Sequence, residues 1–130
     1  MLTEETPDTI KATLQVKAQG AEYTLVLTYH NRDQDEFDAF ARNADNLKPP
    51  SKPEPTGNAA VDDTTATIET FRAANIHLVL YLVKSFDDGS DAAFPLNYAG
   101  MEKLDKRFPG LLTGIIRGYH QARAAEVQKN

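Results

Sequence analysis

Apolar and polar residues alternate strictly near the N-terminus of the chain. The segment TIKATLQVKAQ, residues 9–19, carries an apolar residue at every second position from Ile10 onward. After Gly20, the segment AEYTLVLTYH, residues 21–30, resumes the alternation at Tyr23. A period of two is typical of a strand with one buried face. Two such strands around QGAE predict an antiparallel β-hairpin, whose apolar face needs a packing partner because an isolated hairpin is marginally stable.

The next stretch, NRDQDEFDAFARNADN, has helical periodicity. Either Asn31 or Asp33 can cap a helix, and the acidic residues that follow suit the positive end of the helix dipole. The apolar stripe consists of Phe37, Phe40, Ala41 and Ala44. We predict a short helix over residues 33–46.

A proline-rich segment separates this unit from the rest of the chain. Residues 48–60 contain four prolines, at positions 49, 50, 53 and 55. Proline removes backbone donors and biases the preceding residue away from helix. We expect an exposed and mobile linker here.

The stretch VDDTTATIETFRAANIHLVLYLVKSF predicts one long helix, over about residues 63–86, with Asp62 or Asp63 as its cap. Its part from 76 to 83 is apolar on every side, so a buried strand is an alternative there. We expect a central helix, since it is apolar all round. The predicted inward face comprises Ile68, Phe71, Asn75, Leu78, Leu82 and Phe86.

Two further helices follow the loop DDGSDAAFP. The first is capped by Asn97 and ends before Pro109, and its inward residues are Met101, Leu104 and Phe108. The last runs over about 109–127. The predicted fold class is therefore α+β in a single domain, residues 1–130. It divides into a ββα unit (1–47), the linker (48–60) and a three-helix part (61–130).

The last helix contains glycines at positions 110, 114 and 118. An interior glycine costs a helix about 0.5–1 kcal/mol relative to alanine. One interpretation is tight packing against the long helix. The other is a shallow groove that accepts a partner's helix. The candidate partner-binding residues of this groove are Leu112, Gly114, Ile115, Ile116, Gly118 and Tyr119.

Composition excludes several classes of function. The formal net charge is -5, which disfavours nucleic acid and anionic lipid as partners because both require clustered cationic side chains. The chain has no cysteine, so disulfides, thiolate metal sites and cysteine nucleophiles are ruled out. No apolar run reaches the ~20 residues of a membrane span. The N-terminal MLTEETPDTI shows no export signal, so we expect a cytoplasmic protein.

Signals for catalysis are weak. The histidines at 30, 77 and 120 are not spaced as metal ligands. The acidic loop at 87–91, DDGSD, lacks the glycine and carboxylate positions of a calcium loop. No nucleophile elbow or phosphate-binding glycine motif occurs. We expect no enzyme activity, no metal and no cofactor.

The order of these elements resembles the tail assembly chaperones of long-tailed bacteriophages. The resemblance is carried by FDDGSDAAF, then PLNYAGMEKLDKRFPG with its aromatic-Pro-Gly turn, and then IIRGYHQARAAEVQKN. The stretch LTYHNRDQDEFDAFARNA is also similar to the region after the family's second strand.

The resemblance implies a non-enzymatic role in the host bacterial cytoplasm. Such chaperones bind the long tape measure protein and keep it soluble while the tail tube assembles. The implied partner is the tape measure protein, with the major tail tube protein and a second copy of the chain as further candidates. The alternative function is a structural tail component, such as a terminator or connector subunit.

Overall fold

The hairpin forms where the alternation predicts it. The computed structural model describes residues 5–128, and side chains as far as residue 124. Strand β1 spans Thr9–Ala18 and β2 spans Ala21–His30, paired antiparallel with Ala18 opposite Ala21. Gln19 and Gly20 both have positive φ, 54° and 76°, which is the backbone of a two-residue type I′ turn.

Helix α1 spans Gln34–Arg42 and is followed by a 3₁₀ turn, Ala44–Leu47. Asp33 is its N-cap, and the Asp33 carboxylate accepts a hydrogen bond from the Glu36 amide at 2.8 Å. The predicted single helix over 33–46 is therefore two shorter elements. Asn43 divides them by capping the 3₁₀ turn through the Asp45 amide.

Helix α2 spans Ala59–Leu82 and begins earlier than predicted. Its cap is Asn58, whose side chain accepts from the amides of Ala60 and Val61. The prediction of Asp62 or Asp63 as the cap is wrong. Asp62 instead accepts hydrogen bonds from the amide and hydroxyl of Thr56, which lies outside the helix.

The prediction that the long helix continues to Phe86 is also wrong. The chain leaves helix at Val83 and forms a third strand, β3, Val83–Phe86. This strand pairs antiparallel with β2, with Leu27 opposite Phe86 and Tyr29 opposite Val83. The physical reason is the free edge of β2, where pairing with β3 satisfies backbone groups between Leu27 and Tyr29. Residues 76–82, where a strand was the alternative, are helical.

The last two helices match their predictions closely. Helix α3 spans Tyr98–Arg107, and Asn97 caps it through the Gly100 amide at 2.8 Å. Helix α4 spans Leu111–Gln128. The structure confirms the α+β fold class, with a sheet of order β1-β2-β3 and four helices.

The core lies between one face of the sheet and the helices α2, α3 and α4. Strand β3 comes from the C-terminal part of the chain, so both parts contribute to one sheet and one core. The largest fully buried side chains are Tyr29, Tyr119, Leu27, Ile76, Leu82, Met101, Leu112, Ile115, Val79 and Val83.

Candidate partner-binding surface

Most of the predicted groove on α4 is part of the protein's own core. Leu112, Ile115 and Tyr119 are buried almost completely. Gly118 is buried as well. A Cβ added at Gly118 would lie 2.7 Å from Leu14 Cδ2 and 2.9 Å from Tyr29 Oη. These four residues therefore offer no surface to a partner.

The remaining two predicted residues are accessible. Ile116 is half-buried, and Gly114 has nothing within 4 Å of an added Cβ. Of the two interpretations of the glycines, close packing accounts for Gly118. The neighbour is the sheet rather than the long helix that we expected, because Leu14 is in β1 and Tyr29 is in β2. Partner binding through Gly114 and Ile116 stays a prediction.

Buried tyrosines fix α4 to the sheet. Tyr29 donates its hydroxyl hydrogen to the Ile115 carbonyl, at 2.6 Å. The Tyr119 hydroxyl donates to the Arg32 carbonyl at 2.7 Å and accepts from the Arg32 amide at 3.0 Å. Burial raises the pKa of both phenols, so both remain protonated donors at neutral pH. These bonds join α4 to β2 and to Arg32, two residues beyond the end of the strand.

Arg32 joins the end of β2 to the end of α2. Its guanidinium donates to the Tyr81 carbonyl, at 3.3 Å from Nε and 3.2 Å from one terminal nitrogen. The same group lies 4.2 Å above the centre of the Tyr81 ring. On α1, Phe40 stacks on that ring with centroids 4.0 Å apart. This cluster therefore holds the ends of β2 and α2 and helix α1 together.

No set of three or more His, Asp or Glu side chains among residues 5–124 is placed to hold a metal ion. The histidines have separate environments. His77 Nε2 lies 2.7 Å from the Lys48 carbonyl, whereas His120 packs edge-on against Phe37. For His30, burial and the nearby Arg32 and Lys84 cations lower the pKa.

The N-terminal half of α2 extends beyond the core. Ala73 is the first buried residue of this helix, and no residue from 59 to 72 is buried. At 1.5 Å per residue, this half is about 20 Å long. We call residues 59–72 the α2 arm. At its base, Arg72 bonds to Glu69 at 2.8 Å and to Asp105 of α3 at 2.9 Å, which anchors the arm to the body.

The α2 arm carries a stripe of exposed apolar side chains. Phe71 is 68% exposed, Ile68 50% and Val61 46%. These three are spaced by seven and then three residues, so they lie on one face of the helix. Asn75 and Leu78 continue the same face to Leu82, which is buried in the core. We call Val61, Ile68 and Phe71 the α2 stripe.

The sequence-based prediction placed this face of α2 against the core, which is wrong for the α2 arm. Ile68 and Phe71 belong to the predicted inward face, yet they face solvent. Periodicity identified the stripe correctly and missed Val61 at its start. The length of α2 is the signal that could have located the exposed surface. A 24-residue helix is about 36 Å long, whereas the ten residues of α3 that pack beside it span about 15 Å.

The proline-rich segment lies beside the arm. We call residues 48–58 the strap. It leaves the 3₁₀ turn near His77 and ends at the Asn58 cap, so it runs back along α2 in the opposite direction. Between the strap and the arm lies an open cleft of about 460 Å³, with Thr65, Ala66 and Glu69 on the helix side. The strap therefore covers one side of the arm and leaves the α2 stripe free.

A second apolar depression lies where the hairpin turn meets α3 and α4. It has a volume of about 260 Å³, below the roughly 300 Å³ of ordinary ligand pockets. Its walls include Val16, Tyr23, Leu25, Phe86, Phe94, Leu104, Phe108 and Leu111. Its size suits one large side chain rather than a small-molecule substrate.

Comparison with known proteins identifies no relative of this chain. No protein-family model, no curated protein and no solved structure matches the chain. Within residues 5–128, no helix combines the length and the apolarity that crossing a membrane requires.

Proposed function

We propose that the protein is a tail assembly chaperone of a long-tailed bacteriophage or prophage, acting in the host bacterial cytoplasm. In this proposal it binds the tape measure protein and keeps it soluble while the tail tube assembles. The proposal includes no catalytic activity and no cofactor. The resemblance of the ordered motifs supports it, as does an α+β body in which the described polar clusters are structural.

The observation that carries the proposal is the α2 stripe. Soluble monomeric proteins bury most of their large apolar side chains, and a contiguous exposed set marks an interaction surface. A helix that presents apolar residues at helical spacing recognises another amphipathic helix. A tape measure protein, as the resemblance implies it, is a long chain that needs its apolar surface covered during assembly.

The energetics suit reversible binding. An aromatic side chain has about 150–250 Å² to bury, so covering Phe71 removes on the order of 100 Å² from water. At roughly 25 cal/mol per Å², this contributes about 2–3 kcal/mol. Three such side chains give a modest affinity at each contact. The bound segment can therefore be released when tail tube subunits arrive.

The test is capture of a tape measure fragment by the purified full-length chain. We expect Phe71→Asp to weaken capture by about 30–150-fold, because 2–3 kcal/mol of apolar contact is lost. The matched control is Thr70→Asp, which adds the same charge one position away, outside the stripe. Both variants should unfold at similar temperatures, since neither residue is buried.

Two results would contradict this proposal. Equal capture by the two variants would show that the α2 stripe is not the binding surface. A ring of subunits that persists at nanomolar dilution, together with no capture by the unaltered chain, would favour the structural tail component instead.

A further inference from the structure

Strand β1 is an open edge of the sheet. The strand order is β1-β2-β3, so β2 is the only strand paired with it among residues 5–128. It is ten residues long and contains no proline, and its pairing with β2 runs without a register shift from Thr9 to Ala18. Natural sheets protect such edges because the unpaired backbone groups accept another strand.

Odd-numbered residues of β1 direct their backbone groups to the open edge. The two-residue turn makes Ala18 and Ala21 a hydrogen-bonded pair, and the Asn31 amide donates to the Asp8 carbonyl at 2.9 Å. Hydrogen-bonded and non-hydrogen-bonded positions alternate along an antiparallel pair. Even-numbered residues therefore bond to β2. The free donors and acceptors belong to Thr9, Lys11, Thr13, Gln15 and Lys17.

The apolar face of β1 is incompletely covered at this edge. Ala12, Leu14 and Val16 pack against the core but remain half-buried. On α4, Gly118 lies over Leu14, and Gly114, one turn earlier, has open space where a side chain would stand. Helix α4, which packs against β1, is therefore open at Gly114.

We propose that a second copy of this chain occupies the open edge, pairing β1 with β1 about a twofold axis at Thr13. The two sheets then form one continuous six-stranded sheet. An interface of this kind is self-complementary, because the same strand serves on both sides. The proposal is independent of the function proposed above.

The side chains of β1 select this register. The apolar faces of the two β1 strands align only if even-numbered residues stand opposite even-numbered residues. A slip of one residue would place the apolar face of one strand beside the polar face of the other. With Thr13 opposite Thr13, Lys11 faces Gln15 and Ile10 faces Val16. A shift of the axis to Leu14 would place Lys11 opposite Lys17 twice, and like charges in direct opposition are destabilising. A shift to Ala12 would leave Val16 unpaired.

Cysteine crosslinking tests the register directly, because the chain has no cysteine of its own. In the proposed dimer the two Thr13 Cα atoms are about 5.5 Å apart, which is within the span of a disulfide. The two Lys17 Cα atoms lie eight residues apart along the strands, or about 26 Å. Both residues are exposed on the same face, so Thr13→Cys and Lys17→Cys are a matched pair.

We expect full-length Thr13→Cys to form a covalent dimer under mild oxidation at least ten times faster than Lys17→Cys. Sedimentation of the unaltered chain should show a dimer that dissociates on dilution. Thr13→Pro should abolish it while circular dichroism stays unchanged, because only an outward amide is lost. Equal crosslinking rates, or a chain that stays monomeric at the highest concentrations, would overturn the proposal. Neither result would bear on tape measure capture by the α2 stripe.

Discussion

Gly114 and Gly118 stand one turn apart in α4 and have opposite surroundings. The space beside Gly118 is filled by Leu14 and Tyr29, and the Tyr29 hydroxyl is held there by its bond to the Ile115 carbonyl. Gly114 has no neighbour in that direction. Close packing therefore requires a glycine at position 118, whereas alanine at position 114 should make the helix more stable.

We expect Gly118→Ala to lower the free energy of unfolding by about 1–3 kcal/mol through overpacking. Gly114→Ala should raise it by about 0.5–1 kcal/mol, which is the difference in helix propensity. Urea unfolding of the two variants beside the parent chain measures both effects. Equal stabilities of the two variants would show that α4 does not lie against Leu14 and Tyr29 as described.

The turn after β3 depends on carboxylates. Asp87 accepts hydrogen bonds from the hydroxyls of Thr28 and Ser85, and these bonds hold its pKa below the ordinary value. The Asp87 amide donates to the Val26 carbonyl at 2.7 Å and extends the pairing of β3 with β2. The carboxylate thus fastens the strand that joins the two parts of the chain.

A lowered pKa in the folded state makes the contribution of Asp87 depend on pH. The contribution is fully present above the unfolded value, about 3.9, and is lost as the pH falls through the lower folded value. The melting temperature of Asp87→Asn should therefore lie furthest below that of the parent at neutral pH. The difference should shrink between pH 4 and pH 2.

Thermal melts at a series of pH values measure this difference. Asp91→Asn, exposed in the same loop, is the control. If the difference in melting temperature between Asp87→Asn and the parent chain stays constant with pH, the carboxylate does not secure β3.

At the scale of elements, local patterns predicted most of the fold. Alternation located β1 and β2. The cap Asn97 was predicted outright and Asp33 as one of two alternatives with Asn31, because a capping signal lies within four residues. Strand β3 was missed because VKSF carries no local sign of where α2 ends. Its strand conformation is decided by pairing with β2, which lies more than fifty residues earlier. Long-range pairing of this kind overrides local propensity.

The proposed binding surface was harder to predict than the fold, for a related reason. A stripe of apolar residues on a helix looks the same whether it faces a core or a partner. Ile68 and Phe71 have the spacing of core residues, yet they are exposed because the α2 arm extends beyond the core. On α4 the opposite occurred, since Leu112, Ile115 and Tyr119 are required by the core itself.

At the scale of the whole molecule, the strap connects two parts of the chain that share one core. Its residues from 50 to 58 are exposed, while β3 and the helices hold the parts before and after it in a shared core. Few contacts secure the strap, chiefly those of Lys48 with His77 and of Thr56 with Asp62. Cutting the strap should therefore leave the fold intact.

We expect proteinase K to cleave first between residues 50 and 58. The products should elute together on size exclusion and separate only in denaturant. Trypsin is unsuitable, because Lys48 and Lys52 both precede proline. Protection of the strap amides from hydrogen exchange, or dissociation of the nicked chain under native conditions, would show that the strap is an integral part of the core.

The α2 arm has a consequence for how such a protein diversifies. No residue of α2 before Ala73 is buried, so substitutions along the arm, apart from those at Arg72, should cost little stability. The body, with its buried tyrosines and close-packed Gly118, tolerates far less change. Under the proposed function, recognition and folding depend on nearly separate sets of positions. Altering Val61, Ile68 and Phe71 should then change the binding specificity with little effect on the fold, and the same three places could carry a grafted helical epitope.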